Sequence, residues 1–475
     1  MFEICKVFFD YLNNNHIRYC HWKSNARLAE ALEGKTDLDL LVHPDDKTVF
    51  SQSLNFFDIK KIISHKEKRF DGLEDYLGFD YATGNFIHLH VHYRLILGQK
   101  YIKNHHLPLE KLFFDNLIIK HNVYVPCPEL ELLLLIIRAH MKVGFVALCK
   151  HGMKGLFNRR YTAFPDDIKK EFYELISIIN KDKFNKITIQ CRLNIDNELF
   201  TEFLDKFTDG RLRFYDVFSG QCKIFYGLKK FKRETGPHIY LKYLYLLLRH
   251  SSLSGHFIQP RKKTIDGQGK VISLVGADGA GKSTHVAEIE KWLSWKLDVV
   301  RYYYGIPKTF QVGFLSLFIR TLLRLRLTGP AGVAESLLWL YVARKRAAVS
   351  ASSQRDRQQG RIVITDRFPM KAFFSMPEPM DGPRIQKCVK HPVPGFSRSE
   401  IACYNKILPP DGVFVLRVDS DELRRRKSDL DAALHKIKAD AVNAIREEGP
   451  VMLVDANRPC RQVQLDLKRR IWSLI

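Results

Sequence analysis

The residues from Gly276 to Thr284 have types and a spacing suited to binding a polyphosphate. Their sequence is Gly-Ala-Asp-Gly-Ala-Gly-Lys-Ser-Thr. Because Gly276, Gly279 and Gly281 have no Cβ atom, successive backbone N–H groups can turn inward around phosphate oxygens. Lys282 is expected to reach the β- and γ-phosphates of a nucleotide, and Ser283 to bind Mg²⁺. The predicted nucleotide-binding residues of this loop are Gly276, Asp278, Gly279, Ala280, Gly281, Lys282, Ser283 and Thr284.

The segments on either side of this loop predict a strand and a helix. Residues 271–275 form a short apolar run, whereas Val286, Ile289 and Trp292 recur at helical spacing. The positive end of such a helix would point at the same bound anion. The alternative is a glycine-rich turn that contains a lysine by chance, but the flanking strand and helix favour a phosphate-binding loop.

Four more short apolar runs follow the loop, at 299–303, 362–365, 413–418 and 451–454. Runs of this kind that alternate with helical segments predict an α/β fold of the P-loop NTPase type, with a parallel sheet and helices on both faces. Ligands of such sheets lie at the carboxyl ends of the strands, where Asp366 and Arg367 stand. Asp366 can hold Mg²⁺ or accept a hydrogen bond from the acceptor substrate, and Arg367 can clamp a phosphate.

The phosphate loop, together with Asp366 and Arg367, resembles the thymidylate kinase family of nucleoside monophosphate kinases. Residues 409–418 are similar to that family's fourth strand, and residues 454–459, with Asn457 among them, to the loop whose backbone faces the adenine. The resemblance implies a kinase that transfers the γ-phosphate of ATP to a nucleoside monophosphate such as dTMP. It also implies that ATP and Mg²⁺ bind at the loop and that Asn457 lies on the nucleotide side.

The same resemblance implies how the phosphoryl group is transferred. Positive charge stabilises the charge that develops on the γ-phosphoryl group, so the cationic side chains act as the catalyst. Arg426 is the best match for an arginine of the lid, with Arg424 and Arg425 as competitors and a solvated helix edge as the alternative for each of them. The implied catalytic residues are Lys282, Asp366, Arg367 and Arg426.

The acceptor side departs from the thymidylate kinase pattern. Residues 368–374 lack the stretch that recognises thymine, and residues 301–307 lack the usual Glu-Pro-Gly turn. An insertion with apolar residues at 312–327 suggests a larger or membrane-near acceptor. The Met-Asp-Gly-Pro-Arg sequence at 380–384 resembles thymidylate kinase-like proteins of bacterial surface-polysaccharide gene clusters, so a sugar or glycan acceptor stays open. The implied substrate-binding residues are Asp278, Arg346 and Arg367.

A second group of residues able to do chemistry lies near the beginning of the chain. Asp37 and Asp39 alternate on a predicted strand at 37–42, so both carboxylates can share a divalent metal. With Gly34, they resemble the polymerase-β type of nucleotidyltransferase, which implies an α+β domain. Two departures leave open whether this domain turns over a nucleotide or only binds one. The expected Gly-Ser falls at 23–24, where there is no glycine, and His90 stands where a third carboxylate is expected.

Three histidines on one predicted strand, His88, His90 and His92, have two interpretations. They can form a metal or phosphate site, or they are ordinary residues of a polar sheet face. Downstream, residues 129–141, 166–179, 199–207 and 239–249 predict helices. The last of these can lie on an anionic membrane, but a core helix with a basic edge is favoured. The predicted domains are a nucleotidyltransferase-like domain at 1–125, a helical extension at 126–255, a linker at 256–267 and the kinase domain at 268–475.

The composition restricts the class of partner. The net charge of +24, from 76 Lys and Arg against 52 Asp and Glu, favours anionic ligands. Nine scattered cysteines and a nucleotide-binding loop predict a cytoplasmic location, with a peripheral position at the inner membrane face left open. No apolar stretch is expected to span a bilayer. A stable nucleic-acid complex is not expected, although a nucleic-acid-binding or regulatory ATPase and a membrane scaffold are alternatives to the kinase, and a homodimer stays open.

Overall fold

The computed structural model describes residues 1–99, 102–143, 164–249, 262–426 and 432–475. The chain divides into two units, Met1–Arg261 and Lys262–Ile475. Much of the predicted linker at 256–267 lies outside the described residues, and the boundaries between the four predicted segments stay predictions. In the described part of the chain, no helix is both long and apolar enough to span a membrane.

The first unit contains both strands and helices. Its described helices are α1 (Glu3–Asn14), α2 (Leu28–Ala31), α3 (Lys47–Phe56), α4 (Glu110–Asp115), α5 (Pro128–Lys142), α6 (Asp166–Ile176), α7 (Lys181–Gln190), α8 (Asn197–Thr208), α9 (Phe214–Gly227) and α10 (Pro237–Arg249). Its strands are β1 (Tyr19–His21), β2 (Leu38–Val42), β3 (Lys60–Ile63), β4 (Leu73–Asp80), β5 (Asn85–His92), β6 (Leu95–Gln99), β7 (Ile102–Leu107), β8 (Leu117–Lys120) and β9 (Val123–Pro126). Short 3₁₀ turns lie at Asn25–Arg27, Pro44–Asp46, Lys66–Lys68 and Leu228–Phe231.

A mixed sheet carries the carboxylates of the first unit. Strands β1, β2, β5, β4 and β3 lie side by side in that order, and of these pairs only β2 and β5 run parallel. The strand predicted at 37–42 and the predicted strand that carries the three histidines are thereby confirmed as β2 and β5. In this register Asp39 lies beside His90, and on the other side of His90 lies Asp75 of β4. The sheet therefore brings acidic and imidazole side chains together.

Helix α5 forms the centre of the helical part of this unit. Every residue from Glu129 to Met141 is buried, as its composition predicts. Its apolar side chains share one core with helices α6 to α9 and with the sheet residues Trp22 and Leu41. The same helix buries the charged side chain of Arg138. The helices predicted at 129–141, 166–179 and 199–207 are thus confirmed, with ends that differ by a few residues.

Helix α10 corrects one interpretation. The favoured prediction for 239–249 is a core helix with a basic edge. In the structure Tyr240, Leu241 and Leu244 are exposed, and Leu246 is buried. The core-helix interpretation is wrong because the apolar residues of α10 lie on more than one side of the helix, and among its described side chains only that of Leu246 is buried.

The second unit alternates strands and helices. Its strands are β10 (Thr264–Ile265), β11 (Val271–Gly276), β12 (Val299–Tyr303), β13 (Ile362–Asp366), β14 (Gly412–Arg417) and β15 (Val451–Asp455). Its helices are α11 (Lys282–Leu293), α12 (Phe310–Arg324), α13 (Thr328–Gln358), α14 (Ile385–Cys388), α15 (Pro394–Asn405), α16 (Ser420–Arg426), α17 (Ala432–Asn443) and α18 (Cys460–Leu474), with a 3₁₀ turn at Lys371–Phe373.

The sheet of the second unit is parallel. Its order is β12, β13, β11, β14 and β15, and all four pairings are parallel. Every residue of β11 and β13 is buried. Because neighbouring side chains of a strand point to opposite faces, both faces of the sheet must be covered, as predicted for a P-loop α/β fold. The chain crosses from one side of β11 to the other between β13 and β14, which opens a ligand crevice at their carboxyl ends.

Candidate functional site

The phosphate loop connects the end of β11 to the first residue of α11. Gly279 and Gly281 have φ angles of 92° and 85°, which residues with a Cβ rarely adopt. A Cβ on Gly276 would lie 3.0 Å from the carbonyl oxygen of Leu416. Ser283 and Thr284, in the first turn of α11, are exposed. The loop therefore has the strand-loop-helix geometry that its sequence predicts, with free N–H groups of the helix start directed at the crevice.

Lys282 is folded back over the loop. Its Nζ donates to the carbonyl oxygens of Gly276, at 2.9 Å, and Ala277, at 2.8 Å. Burial, with the positive charge of Arg367 nearby, lowers the pKa of the Lys282 ammonium to about 8. At neutral pH the Lys282 side chain is therefore still protonated in most molecules. It is a cation held without a close carboxylate, since the nearest carboxylate oxygen, on Asp278, is 3.9 Å away.

A hydroxyl and a carboxylate meet where α11 approaches β13. Ser283 Oγ donates to Asp366 Oδ2 at 3.0 Å, and Arg301 Nη2 lies 3.4 Å from the same oxygen. A serine hydroxyl and an aspartate at this separation are the oxygen ligands that Mg²⁺ takes beside nucleotide phosphates. The structure thus brings together the two residues predicted to hold the metal in this unit.

Asp278 and Arg367 form the centre of a charged network. Arg367 Nη2 donates to Asp278 Oδ1 at 3.1 Å, and Lys438 Nζ lies 3.4 Å from Asp278 Oδ2. Burial would raise the pKa of the Asp278 carboxyl, but the charges of Lys282, Arg367 and Lys438 outweigh it and hold that pKa below its ordinary value. Asp278 therefore stays ionised. The backbone of Arg367 has a φ of 75°, the left-handed conformation, which turns its side chain toward the loop.

Arg346 is placed near the acceptor pocket, but all its contacts are to the protein itself. It is 3% exposed and donates to the Tyr304 carbonyl at 2.6 Å, to Tyr404 Oη at 2.5 Å and to Asp381 Oδ1 at 2.9 Å. An acceptor phosphate can reach Arg346 only by replacing one of these partners. Its predicted role in binding the acceptor phosphate stays a prediction.

Sequence reasoning did not assign three residues of this site. Asp381 was recognised only as part of the unusual Met-Asp-Gly-Pro-Arg sequence, yet its Oδ2 lies 3.5 Å from Arg367 Nη1. Lys438 and Tyr404 stand in helices α17 and α15, in sequence surroundings without any phosphate-binding pattern. No signal in the sequence distinguishes them from other helical residues, because only the packing of these helices brings them to the pocket.

The pocket between these groups has a volume of about 150 Å³. Its charged walls carry Asp278, Lys282, Arg346, Arg367, Asp381, Arg384 and Lys438. Its less polar walls are provided by Val275, Tyr303, Ile306, Phe368, Phe373 and Met380. A pocket of this kind fits a small polar ligand with one flat or apolar part.

Asn457 and Arg426 lie together, apart from this pocket. Asn457 Oδ1 accepts a hydrogen bond from the backbone N–H of Asp419 at 3.0 Å. Arg426 donates through Nη2 to the carbonyl oxygen of Ala456 at 2.9 Å and through Nε to Glu422 at the same distance. Arg426 is thereby held against the loop predicted to face the adenine. Its predicted catalytic role requires it to leave these partners and stays a prediction.

The two predicted metal ligands of the first unit have basic partners. Asp39 Oδ1 lies 2.7 Å from Lys23 Nζ and 2.8 Å from His90 Nδ1. Asp37 Oδ1 lies 2.9 Å from His88 Nδ1. Burial raises the pKa of the Asp39 carboxyl, but the charge of Lys23 and the hydrogen bond to His90 outweigh it and hold that pKa well below its ordinary value.

The histidines of β5 form one continuous row with Asp39. His88 and His92 are buried, and His92 Nε2 lies 3.4 Å from His90 Nδ1. Ligand atoms of Asp39, His90 and His92 all lie within 4.8 Å of one another, a separation that a metal ion can bridge. The histidines share one strand face as predicted. The contact between Asp75 and His88, at 3.2 Å, was not predictable from any local sequence pattern.

A cavity of about 530 Å³ adjoins Asp37 and Asp39. Lys23, Arg138 and Lys142 contribute to its walls, as does Glu171. In the described residues Arg138 makes no hydrogen bond or ion pair; its guanidinium lies 5.7 Å from the centre of the Trp22 ring. Burial lowers the pKa of Lys142 to about 8. The first unit thus also has a cavity in which cationic and carboxylate side chains face the same space.

Comparisons with known proteins give little similarity. No family model and no curated protein matches the chain. Among solved structures, a deoxyadenosine kinase from M. mycoides, with dCMP and a flexible dCDP bound as products, is similar over 43% of this chain and 100% of its own. The two have 17% sequence identity and a TM-score of 0.30. A TM-score this low assigns neither a fold nor an activity, and the P-loop α/β fold rests here on the strand order and the geometry of the loop.

Proposed function

We propose that the second unit is an ATP-dependent kinase of the thymidylate kinase-like type, whose acceptor is a nucleoside monophosphate such as dTMP. The observation that carries this proposal is the arrangement around the phosphate loop. Lys282 and Ser283 at the start of α11 converge with Asp366 and Arg367 at the end of β13 on one crevice. A structural ion-pair cluster would not also require a loop with open N–H groups at the start of a helix.

In this reaction a phosphate oxygen of the acceptor attacks the γ-phosphorus of ATP, and the bond from that phosphorus to the bridging oxygen of ADP breaks. Mg²⁺, when held by Ser283 and Asp366, would neutralise charge on the β- and γ-phosphates. Lys282 exchanges the Gly276 and Ala277 carbonyls for phosphate oxygens, which provide a stronger, charge-assisted hydrogen bond. An acceptor phosphate is already ionised, so this transfer needs no general base.

The acceptor pocket supplies charges of both signs. Arg367 and Lys438 are placed to bind the acceptor's phosphate, and the Asp278 carboxylate to accept hydrogen bonds from its sugar. Phe368 and Tyr303 line the same pocket and provide flat surfaces for a base. Positioning of this kind, together with charge stabilisation, supplies most of the rate acceleration in phosphoryl transfer.

A sugar or glycan acceptor, as in surface-polysaccharide biosynthesis, is the second candidate, and Asp381 favours it. This carboxylate already contacts both Arg346 and Arg367, where an acceptor phosphate would otherwise bind. A neutral polyol would bind beside the carboxylates of Asp278 and Asp381 without displacing them. One of these carboxylates would then take the proton that the attacking hydroxyl loses.

The first unit is proposed to be a nucleotidyltransferase-like domain that binds a nucleotide or sugar phosphate in the cavity beside Asp37 and Asp39. The support is the position of Asp39 on β2, with Asp37 directly before that strand, and the cationic wall that includes Lys23 and Arg138. Whether this domain also turns over its ligand depends on a metal ion displacing Lys23 from Asp39.

The test is ATP consumption by the purified full chain with Mg²⁺, screened against dTMP, other nucleoside monophosphates, and sugars or glycans. Saturable ADP formation with dTMP supports the nucleotide kinase. Turnover only with a sugar or glycan supports the second candidate. Hydrolysis stimulated by DNA or RNA, and by no small acceptor, contradicts both and indicates a nucleic-acid-dependent ATPase.

Two variants of helix α11 make the assay specific. Lys282→Ala removes the cation at the γ-phosphate and is expected to lower kcat by a factor of about 10² to 10³, as losing one charge-stabilising donor does elsewhere. Lys291→Ala, at an exposed position of the same helix, is the control and is expected to keep full activity. Equal activity of the two variants would rule out the proposed role of the loop.

A further inference from the structure

Helix α12 presents an apolar face to solvent. Phe310, Phe314 and Leu317 are 83%, 58% and 64% exposed, and Phe318 beside them is also exposed. Residues at positions 310, 314 and 317 lie on the same side of a helix. The rings of Phe310 and Phe314 are 6.2 Å apart and those of Phe314 and Phe318 are 6.4 Å apart, so they form one continuous ladder. We call this set the α12 outer face.

The opposite face of the same helix is packed. Ile319 and Leu322 are buried against Ala331, Ala334 and Leu338 of α13. The two helices form an antiparallel hairpin joined by a short connection. Packing on α13 fixes the orientation of α12, so the outer face is a preformed surface and not one side of a free helix. Four large apolar side chains on one exposed helix face are typical of an interaction site.

The charge around this face has one sign. The sequence has no Asp or Glu from 299 to 334. Lys308, Arg320, Arg324 and Arg326 are exposed, and within the described part of the chain none of them forms an ion pair. Arg320 and Arg324 follow the apolar residues along the helix and border their face. An apolar strip bordered by basic residues without acidic ones is complementary to an anionic lipid surface.

We propose that the α12 outer face docks on an anionic membrane surface, with its phenylalanine and leucine side chains inserted among the lipids and its arginines contacting the headgroups. A second copy of the chain fits this face less well. Two α12 helices packed against each other through this face would have only basic residues at the border of their interface, Arg320 and Arg324 among them, with no carboxylate on either helix to compensate them.

This docking would place the acceptor pocket close to the bilayer. Ile306, which lines the pocket, lies a few residues before Phe310, the first residue of α12. The connection between them is too short to separate the pocket from a docked helix by more than about 13 Å. An acceptor carried by a membrane lipid would therefore be presented at the pocket. The docking itself does not depend on the proposed kinase activity.

The experiment is sedimentation of the full chain with two kinds of vesicle, phosphatidylcholine alone and phosphatidylcholine mixed with phosphatidylglycerol. Binding is expected only to the mixed vesicles and is expected to weaken at high salt. Leu317→Glu should lower the partition coefficient about tenfold or more, because it removes one inserted apolar side chain and adds a repelled charge. Arg320→Gln and Arg324→Gln should each lower it about fivefold.

Ile189→Glu in helix α7 is the matched control, since Ile189 is also 64% exposed and the change introduces the same charge. It should leave the partition coefficient unchanged. Thermal unfolding identical to that of the parent chain shows that each variant is folded. The proposal is overturned if Leu317→Glu and Ile189→Glu bind alike, or if neutral and anionic vesicles bind equally. It is also overturned if vesicle binding is absent and Leu317→Glu converts a dimer to a monomer, because a second copy then covers this face.

Discussion

Asp39 of the first unit and Asp366 of the second both lie on interior strands of a sheet, but they have different neighbours. Asp39 Oδ1 is in contact with the ammonium of Lys23, at 2.7 Å, and with His90. The closest described side-chain contact of Asp366 is the neutral hydroxyl of Ser283, at 3.0 Å, and Arg301 lies further away at 3.4 Å. One carboxylate has its charge compensated at close contact, whereas the other is paired with a neutral hydroxyl that we propose as a second Mg²⁺ ligand.

The comparison explains how similar residue types can serve different ligands. A divalent cation that approaches Asp39 must first displace Lys23, which costs the charge-assisted contact between them. A cation that approaches Asp366 gains the serine oxygen as a second ligand. We therefore expect the second unit to bind Mg²⁺ with its nucleotide and the first unit to bind an anion mainly through its own cations.

Two buried arginines extend this comparison and give the largest expected effect. Arg346→Met removes the closer of the two arginine partners of the Asp381 carboxylate, at 2.9 Å, and also the donor to the Tyr304 carbonyl. It should lower the free energy of unfolding of the second unit by about 3–5 kcal/mol. Arg138→Met removes a buried charge that has no direct partner in the described residues. It should change the stability of the first unit by less than about 1.5 kcal/mol. Calorimetry with separate transitions for the two units measures both, and equal losses would contradict the difference between the sites.

The pH dependence of stability should also differ between the units. Burial lowers the pKa of His90, His105 and His140, all in the first unit, from 6.5 to about 4. Between these values the unfolded chain binds protons that the folded chain does not, so stability falls as the pH falls from 6.5 to 4. The loss is up to about 3 kcal/mol for each histidine. In the second unit the lowered pKa of Lys282 changes stability in the alkaline range, between about 8 and 10.5, where stability rises with pH.

The measurement is the unfolding midpoint of the first unit between pH 7 and pH 5. His140→Gln should flatten this dependence, because the His140 ring is buried and its Nδ1 donates to the Ile136 carbonyl at 2.8 Å. His121→Gln, at an exposed turn, should leave it unchanged. A dependence that is the same in both variants would show that His140 contributes nothing to it.

The substitution of Lys23 is expected to have the smallest effect among these predictions. Lys23→Met removes the ammonium from Asp39 and should tighten Mn²⁺ binding to the first unit by about tenfold, because two like charges no longer share the site. The titration is made without nucleotide and with Asp366→Asn present, so that the second unit does not compete. Lys35→Met, which loses only an exposed pair with Glu33, is the control. Unchanged Mn²⁺ affinity in Lys23→Met would mean that Lys23 does not block a metal site at Asp39.

Local patterns in the sequence predicted the parts of this protein that depend on neighbouring residues. The strand and helix around Gly276 to Thr284 follow from apolar periodicity and from glycines at left-handed positions, both readable over a dozen residues. The pairing of Ser283 with Asp366 was also predictable, because strand ends of a parallel sheet meet at one edge. The exposure of α10 was not predictable, because its sequence does not indicate which of its apolar residues will be buried against another part of the protein.

Contacts between distant segments were decided by the tertiary structure alone. Lys438 is 160 positions from Asp278 and Asp381 is 35 positions from Arg346, and no local pattern records either contact. Lys23 reaches Asp39 only because β1 and β2 pair antiparallel, with Trp22 donating its backbone N–H to the Asp39 carbonyl. The sequence by itself indicated which residues are candidates for binding phosphate and metal. Folding decided which of those charges are already neutralised, because neutralisation depends on distances of a few ångströms between segments far apart in the chain.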